Sequence, residues 1–278
     1  MPEYTYKTTD LEILVATMHR TSLDFLNAMF AESGMEGFKV LIVNQTDENS
    51  ILESSNPNIR VINSFEKGLS KSRNLAIQNA IGPLCFNTDD DVVFMKGFAA
   101  VIVKAYNTHP NPIITFKTLT TQGKDYWKYP KKGMVHNRFV TQKTLSIEIS
   151  FKLSEVLNKN LFFDERFGLG AQFEDAENFV FLTDAKKLGL TPYFYPEYIT
   201  IHPPLSSSDD VESDRLLYAK AAIKTYDYGI FSYIWVFKFV FFIYRKKYIS
   251  LSEIPHKIKI GFKSIADYNK TKPNEKYN

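Results

Sequence analysis

The amino-acid sequence predicts an α/β domain with a mostly parallel central sheet flanked by helices, followed by a helical C-terminal segment. The first observation is a series of short apolar runs typical of buried strands, at 12–16, 38–43, 59–63 and 84–86. The second is a helical spacing of apolar residues between these runs, at 22–32 and 71–80. The third is a change after about residue 211, where long helical patterns replace the alternation. Strands that alternate with helices in this way form βαβ units, whose ligands lie at the carboxyl ends of the strands.

The later elements follow from the same patterns. Further strands are predicted at 113–118 and 146–150, and the polar, aromatic and lysine-rich stretch between them, 122–137, is predicted to be a loop near the ligand site. A helix is predicted at 180–188 because Gly189 ends it, and a strand is predicted at 191–201. We therefore expect an α/β domain over residues 1–205 and a helical segment over residues 206–278.

Composition indicates a folded intracellular protein. Of the 278 residues, 44% are hydrophobic, which is enough for one large core and an appendage. Cys85 is the single cysteine and lies in an apolar run, so it cannot form a disulfide within the chain and favours a reducing compartment. Residues 1–10 are polar and do not resemble a signal peptide. We expect a cytoplasmic location.

The C-terminal segment is basic and aromatic. Residues 238–278 contain ten Lys or Arg and three Asp or Glu, which predicts an anionic partner surface. The rest of the chain is acidic, so nucleic acid is not the expected partner. The aromatic stretch 228–244 contains Lys238 and is shorter than the roughly 20 residues that span a bilayer. It is predicted either to lie on the inner face of the plasma membrane, with Arg245-Lys246-Lys247 at its end, or to pack on the catalytic domain.

Three adjacent carboxylates, Asp89-Asp90-Asp91, follow the predicted strand at 84–86. Adjacent carboxylates repel each other, and a hard cation that takes oxygen ligands relieves this repulsion. A Mn²⁺ or Mg²⁺ ion held there can also bind the phosphates of a nucleoside diphosphate and stabilise its negative charge as it leaves. The alternative is a solvated acidic turn without a ligand.

Four segments in order resemble glycosyltransferase family 2, which has the GT-A fold, over roughly residues 11–204. They are the strand ending at Thr17, the strand and turn at 40–47, the segment Gly68-Leu69-Ser70-Lys71-Ser72-Arg73-Asn74, and Thr88 to Asp91. The resemblance implies a nucleotide site that contains Thr17, Asn44, Lys71, Arg73, Asp89 and Asp90. It also implies a metal site at Asp89, Asp90 and Asp91. The family usually has an aspartate where Asn44-Gln45 stands, so the nucleotide base stays open.

The second half of the resemblance lies in Phe163 to Gly170, in Phe173 to Asn178, and in His202. It implies that His202 completes the metal site. Asn178 occupies the position of the family's catalytic base, and an amide cannot take a proton. Glu177 is therefore the predicted base, with Asp175 as the second candidate. Carboxylates at a helix N-terminus also stabilise the helix without any chemistry, which is the alternative interpretation.

The predicted function is metal-dependent transfer of a sugar from a nucleoside diphosphate donor to a hydroxyl group, with inversion implied by the resemblance. The expected acceptor is a glycan or lipid-linked glycan in the synthesis of a bacterial capsule, exopolysaccharide or O-antigen. Tyr126, Trp127 and Tyr129 are predicted either to stack on a sugar or to fill the core. A metal-dependent nucleotidyltransferase, a phosphoesterase and a non-catalytic nucleotide-binding module remain alternatives. The first two usually carry a Gly-Lys-rich phosphate loop or several dispersed histidines, and residues 17–20 contain no glycine.

Overall fold

The computed structural model describes residues 5–204 and 211–271. The described chain divides into two compact units. The first unit contains residues 5–67, 71–163 and 181–204, and the second contains 68–70, 164–180 and 211–271. The domain boundary predicted at residue 205 remains a prediction.

The first unit is built around one mixed sheet, in which nine strands are found among the described residues. The strands are β1 (Leu11–Met18), β2 (Lys39–Gln45), β3 (Ile59–Ser64), β4 (Leu84–Asp89), β5 (Val93–Phe94), β6 (Ile113–Thr120), β7 (Met134–Val135), β8 (Ile149–Lys152) and β9 (Pro192–His202). Their order is β3-β2-β1-β4-β8-β6-β9-β5, and β7 pairs with β9. The first four strands in this order are parallel, whereas β8 runs antiparallel to both β4 and β6. The predicted α/β class with a mostly parallel sheet is confirmed.

Helices cover both faces of this sheet. They are α1 (Phe25–Met29), α2 (Leu69–Asn79), α3 (Phe98–Thr108), α4 (Arg138–Lys143), α5 (Leu153–Asn158) and α6 (Glu177–Lys187). Side chains alternate along a strand, so Ile13 packs into one apolar cluster with α1 and α3, while Leu14 packs into another with α2, α5 and α6. The sheet is therefore buried on both faces, as its apolar strands predict.

The register of the central strands positions the polar residues that follow them. Thr17 of β1 is paired with Asn44 of β2, and Ala16 is paired with Asp89 of β4. The carboxyl ends of these three parallel strands thus lie side by side at one edge of the sheet. This edge is where parallel sheets bind ligands.

The second unit contains three long helices, α7 (Asp214–Tyr228), α8 (Ser232–Arg245) and α9 (Ile254–Lys270), joined by short 3-10 turns. The helical C-terminal segment is confirmed. Its core includes Leu217, Ala221, Val236, Val240, Ile243, Ile249 and Ile265. A second cluster joins Phe167, Phe173, Phe179 and Val180 to Ala222 and Ile223 of α7. Residues 164–180 thus share a core with the C-terminal helices.

Candidate active site

The first carboxylate of the aspartate run, Asp89, ends β4 and contacts a buried arginine. Arg73 of α2 donates from Nη2 to Asp89 Oδ1 at 3.0 Å, and Ser146 donates from Oγ to Oδ2 at 3.3 Å. The Arg73 guanidinium also lies over the ring of Phe163, at 5.5 Å from its centroid. Arg73 is buried, so it holds Asp89 from the interior of the protein. Arg73 lies at the same edge of the sheet as the other predicted site residues.

Asp90 is held by one residue of β1 and one residue of the turn that follows β1. Thr17 donates from Oγ1 to Asp90 Oδ2 at 2.6 Å, and Arg20 donates from Nε to the same oxygen at 2.7 Å. The Arg20 side chain is 42% exposed, so solvent can reach its guanidinium while it is bonded to Asp90. It also lies over the ring of Phe25, at 5.1 Å. Arg20 is thus a cationic group at the site that the sequence analysis did not identify.

Asn44 positions Arg20. Its side chain is fully buried, its Oδ1 accepts from the Arg20 backbone N–H at 3.0 Å, and its Nδ2 donates to the Arg20 carbonyl at 2.9 Å. Nδ2 also donates to Asn63 Oδ1 at 3.0 Å. His19, just before Arg20, has a φ of 52°, so the backbone turns sharply out of β1. The amide of Asn44 therefore fixes this turn and directs Arg20 toward Asp90.

Asp91 and His202 form the third pair. His202 Nε2 of β9 lies 3.3 Å from Asp91 Oδ1. The hydrogen bond to His202 lowers the pKa of Asp91, and burial opposes this effect. Burial alone lowers the pKa of His202, but its hydrogen bond to Asp91 and the negative charge of that residue outweigh this effect and raise it.

The Oδ1 atom of Asp91 and the Nε2 atom of His202 are suited to bind a divalent cation. His202 Nδ1 lies 2.6 Å from the Pro203 carbonyl, and since a carbonyl can only accept, Nδ1 is the donor. In the neutral ring Nε2 is then an acceptor that faces a carboxylate oxygen, and two acceptors at this distance repel each other unless a proton or a cation is bound. An Nδ1–H bonded to a backbone carbonyl is also the usual arrangement of a metal-binding histidine.

The four predicted metal ligands are divided among different partners. Asp89 and Asp90 contact arginines, whereas Asp91 and His202 contact each other. Within residues 5–204 and 211–271, no three His, Cys, Asp or Glu side chains converge into a preformed metal site. Lys71, predicted to bind the diphosphate, forms an ion pair with Glu66 at 2.7 Å.

The two candidate bases lie in the second unit. Glu177 is the first residue of α6 and is buried, and Asp175 precedes it by two positions. Asp175 Oδ1 accepts from the backbone N–H of Ala176 at 2.8 Å, and Ala176 has a φ of 65°. Burial raises the pKa of Asp175, and the nearby negative charge of Glu177 raises it further. A carboxylate with a raised pKa is better suited to accept a proton than an ordinary surface aspartate.

The aromatic residues of the predicted loop differ in their environments. Tyr129 is buried and stacks on Phe194 of β9, with ring centroids 5.9 Å apart. Trp127 packs on Tyr129, with centroids 4.2 Å apart. Tyr126 is half-buried, and its ring centroid lies 5.8 Å from that of His202. Tyr129 thus belongs to the core, while the ring of Tyr126 lies beside His202, a predicted metal ligand.

Sequence reasoning missed Arg20, Ser146 and Glu148. Arg20 follows Thr17 by three positions at the end of the first strand, so the negative charge of the aspartate run was the available signal for a cation there. Ser146 and Glu148 lie in a 3-10 turn, where the sequence predicted a strand. Nothing in their local pattern indicates that this turn lies beside Asp89.

Comparison with known proteins decides the family. The model of glycosyl transferase family 2 matches residues 23–177, more than half of the chain. The chain belongs to this family. It is therefore a glycosyltransferase, and its aspartate run and the Gly68 to Asn74 segment lie inside the matched region. No curated protein sequence matches it significantly.

Solved structures share the fold of this family 2 glycosyltransferase. TarS 1–349 from S. aureus matches with a TM-score of 0.56 at 14% identity, over 93% of this chain and 80% of that one. TarS 1–349 in complex with UDP-GlcNAc matches with a TM-score of 0.58 at 13% identity, over the same shares of the two chains. A longer TarS chain matches with a TM-score of 0.57 at 15% identity, over 96% of this chain and 50% of that one. These likenesses confirm the GT-A-like fold.

Proposed function

We propose that this glycosyltransferase moves a sugar from a nucleoside diphosphate donor to a hydroxyl group, with a divalent cation and with inversion at the anomeric carbon. The observation that carries the proposal is the Asp91–His202 pair at the carboxyl edge of the sheet. The two aspartates before Asp91 contact Arg20 and Arg73. Two arginine side chains and a cation site thus lie around the same three aspartates. Positive groups in this arrangement suit a diphosphate, which carries several negative charges.

The cation is Mn²⁺ or Mg²⁺; Asp91 and His202 are the proposed principal ligands, and Asp89 and Asp90 are the further ones. Mg²⁺ is commonly bound through one or two carboxylates and completes its shell with substrate phosphates and water, so a site with few protein ligands is sufficient. When bound, the cation neutralises the negative charge of the departing diphosphate. Asp89 and Asp90 keep Arg73 and Arg20 at this edge, and their predicted role as direct metal ligands remains part of the proposal.

The nucleotide site extends from this edge along β1 and β2. Arg20 is the exposed cation and binds the diphosphate, while Thr17 and Asn44 support it through Asp90 and the backbone turn. Lys71 is a second diphosphate contact at the start of α2. UDP is the nucleotide to test first, because two TarS structures contain UDP or UDP-GlcNAc.

Glu177 is the proposed base that takes the proton from the acceptor hydroxyl as that oxygen attacks the anomeric carbon. Asp175 is the second candidate, and its raised pKa supports a role in proton transfer. Each is a carboxylate and so can perform the step that Asn178 cannot.

The acceptor is a glycan or lipid-linked glycan of a bacterial surface polysaccharide. Lipid-linked acceptors lie at the membrane, and this agrees with the basic and aromatic C-terminal segment. The protein acts in the cytoplasm, on the inner face of the plasma membrane. A membrane surface is therefore a proposed partner in addition to the donor and the acceptor.

Thermal unfolding with nucleotides tests the proposal. We expect one nucleoside diphosphate, with Mn²⁺ present, to stabilise the protein by about 2.7 kcal/mol at roughly 100 times its dissociation constant. Asp91→Asn removes a metal ligand and is expected to abolish the part of this stabilisation that needs Mn²⁺. Release of the same nucleotide from its sugar ester is expected to fall about 100-fold, since a bound cation contributes several kcal/mol of charge stabilisation.

Glu32→Gln is the matched control, because Glu32 is an exposed carboxylate outside the aspartate run and should leave the stabilisation unchanged. If no nucleoside diphosphate stabilises the wild-type protein, the proposed donor class is wrong. Stabilisation by a nucleotide that is equal with and without Mn²⁺ contradicts the metal site and leaves the nucleotide site standing.

A further inference from the structure

Helix α8 has two apolar faces, one buried and the other exposed. Val236, Val240 and Ile243 are buried in the helical core. Ile234, Phe237 and Phe241 are each more than half exposed. Their spacing of three and four residues places these three on one stripe of the helix, opposite the buried face.

Further exposed apolar side chains lie close in sequence, just before the helix and just after it. These and the exposed apolar side chains of the helix, which together we call the aromatic face, have exposures between 47% and 77% and are Ile230, Phe231, Ile234, Phe237, Phe241, Phe242, Tyr248 and Leu251. Single exposed apolar side chains are common on soluble proteins, but eight within 22 consecutive residues indicate an interaction surface. Aromatic residues dominate it, and phenylalanine is typical of the apolar face of helices that lie in the membrane interface.

Within the stretch of sequence that holds the aromatic face, the charges have one sign. Residues 228–252 contain Lys238, Arg245, Lys246 and Lys247 and no Asp or Glu. All four basic side chains are exposed, and the Arg245 guanidinium lies over the ring of Phe241, at 5.9 Å. Basic side chains beside exposed aromatic rings complement a surface that is negatively charged and apolar underneath.

The dimensions of α8 favour a helix that lies along a membrane. Its 14 residues extend about 21 Å, less than the roughly 30 Å of a hydrocarbon core. By length and composition, the stretch 214–245 is the one helical segment among the described residues that could cross a membrane, with a mean hydropathy of 1.2. However, Gly229 interrupts it, with a φ of 54° and a ψ of −128°, and Val236 packs against Gly261 of α9. A helix with one face packed on its own unit is suited to the interface.

We propose that the aromatic face docks on the surface of an anionic phospholipid bilayer. Phe237 and Phe241 enter the boundary between headgroups and acyl chains, and the four basic residues contact lipid phosphates. The inference deepens the membrane partner of the proposed function and rests on it for its purpose, since docking brings the enzyme to a lipid-linked acceptor. The binding surface itself is argued from exposure and charge.

Vesicle flotation with the full chain tests the docking. The vesicles are phosphatidylcholine alone or phosphatidylcholine mixed with phosphatidylglycerol, each at low and high salt. We expect flotation with the anionic vesicles at low salt, and a loss of about tenfold in the bound fraction for Phe237→Ser/Phe241→Ser, since two apolar anchors are lost. Lys246→Glu/Lys247→Glu is expected to weaken binding to anionic vesicles by a similar factor. Phe139→Ser, which changes an exposed phenylalanine of α4, is the control and should float like the wild type.

Three results overturn the proposal. The first is a wild-type protein that stays with the soluble fraction at low salt. The second is a double phenylalanine variant that floats as well as the wild type. In the third, sedimentation without vesicles shows a dimer that this variant loses, so a second copy covers the face. Nucleotide-dependent stabilisation is measured on the same preparations. If it persists while flotation fails, the docking surface is wrong and the proposed transfer reaction stands.

Discussion

Glu148 is a buried carboxyl group that connects the predicted loop to the edge of the candidate site. Its Oε2 accepts from the backbone N–H of Leu145 at 3.0 Å and from Trp127 Nε1 at 3.5 Å. Its Oε1 is hydrogen-bonded to the hydroxyl of Tyr129, which also donates to the Thr118 carbonyl at 3.2 Å. Burial raises the pKa of Glu148 from 4.5 to about 8, against these hydrogen bonds. Near neutral pH the group is thus mainly protonated, and it can donate to Tyr129 while Tyr129 donates to Thr118.

This raised pKa predicts a pH-dependent stability. Since the folded protein holds the Glu148 proton more tightly than the unfolded chain, the contribution is fully present below about pH 4.5 and is lost as the pH rises through about 8. Glu148→Gln is neutral at every pH. We expect the unfolding free energy of the wild type to fall by a few kcal/mol relative to this variant, because each pKa unit is worth about 1.4 kcal/mol.

Urea unfolding of both proteins between pH 5 and pH 9 measures the difference. Glu155→Gln is a suitable control, because Glu155 is an exposed carboxylate on α5 of the same unit. Two parallel curves for wild type and Glu148→Gln contradict a buried, protonated Glu148.

At the same scale, the sequence predicted the identities of the acidic residues but not their partners. Asp89 is the last residue of β4, and Asp90 and Asp91 lie in the turn after it, so the three carboxylates point in different directions. Adjacent residues cannot share one partner easily when the backbone turns between them. The arginine and histidine partners come from the turn after β1, from α2 and from β9, which are distant in sequence. Only the folded register brings them together.

Gly261, in the middle of α9, shows how the packing of two helices depends on one residue. Glycine in a helix interior costs about 1 kcal/mol relative to alanine, so its presence there needs a reason. A Cβ atom at this position would lie 2.5 Å from Val236 Cγ1 of α8. The absence of a side chain at 261 therefore allows α8 to approach α9.

We expect Gly261→Ala to destabilise the protein by up to about 2 kcal/mol. The helix gains about 1 kcal/mol in propensity, but overpacking of a buried contact costs roughly 1–3 kcal/mol and dominates because the neighbouring atoms belong to a branched, buried valine. Thermal unfolding measures the change. Val236→Ala on the Gly261→Ala background should recover part of the loss, since it removes the clashing methyl groups. An increase in Tm for Gly261→Ala alone would show that the helices separate without cost.

Elements were predictable where local pattern determines them. The parallel strands β1, β2, β3 and β4 follow from their apolar runs, and the helix predicted at 180–188 is observed as Glu177–Lys187. The strand predicted at 146–150 is instead a 3-10 turn followed by β8, which inserts antiparallel between β4 and β6. The two-residue strands β5 and β7 depend on pairing with β9. A strand's neighbours and direction are set by tertiary contacts, so no local pattern predicts them.

For the molecule as a whole, the segment at 164–180 contains both candidate bases and packs on the C-terminal helices. Phe173 packs on Tyr218 and Tyr268, with ring centroids 5.4 Å and 6.0 Å apart. Arg166 pairs with Asp164 at 2.6 Å, donates to the Thr271 carbonyl at 2.8 Å and lies over the ring of Tyr268, at 4.6 Å. Asp175 and Glu177, the candidate bases, belong to the same segment. The boundary predicted at 205 rests on a local change in helical pattern and stays a prediction; contacts between distant residues such as these are not visible in that pattern.

Removal of residues 206–278 is therefore expected to destabilise the remaining chain and to abolish sugar transfer. Phe167 and Phe173 are fully buried and would lose partners on α7 and α9, which exposes large apolar surface and leaves Arg166 without its carbonyl acceptor. Loss of one buried aromatic environment alone costs roughly 3–5 kcal/mol, a large share of the 5–15 kcal/mol that stabilises a typical domain. Solubility, circular dichroism and thermal unfolding of a 1–205 chain, compared with a 1–271 chain, measure the effect. If the 1–205 chain is soluble, melts cooperatively and still gains stability from nucleotide and Mn²⁺, residue 205 ends an independently folding domain, and the helices serve another purpose such as membrane docking.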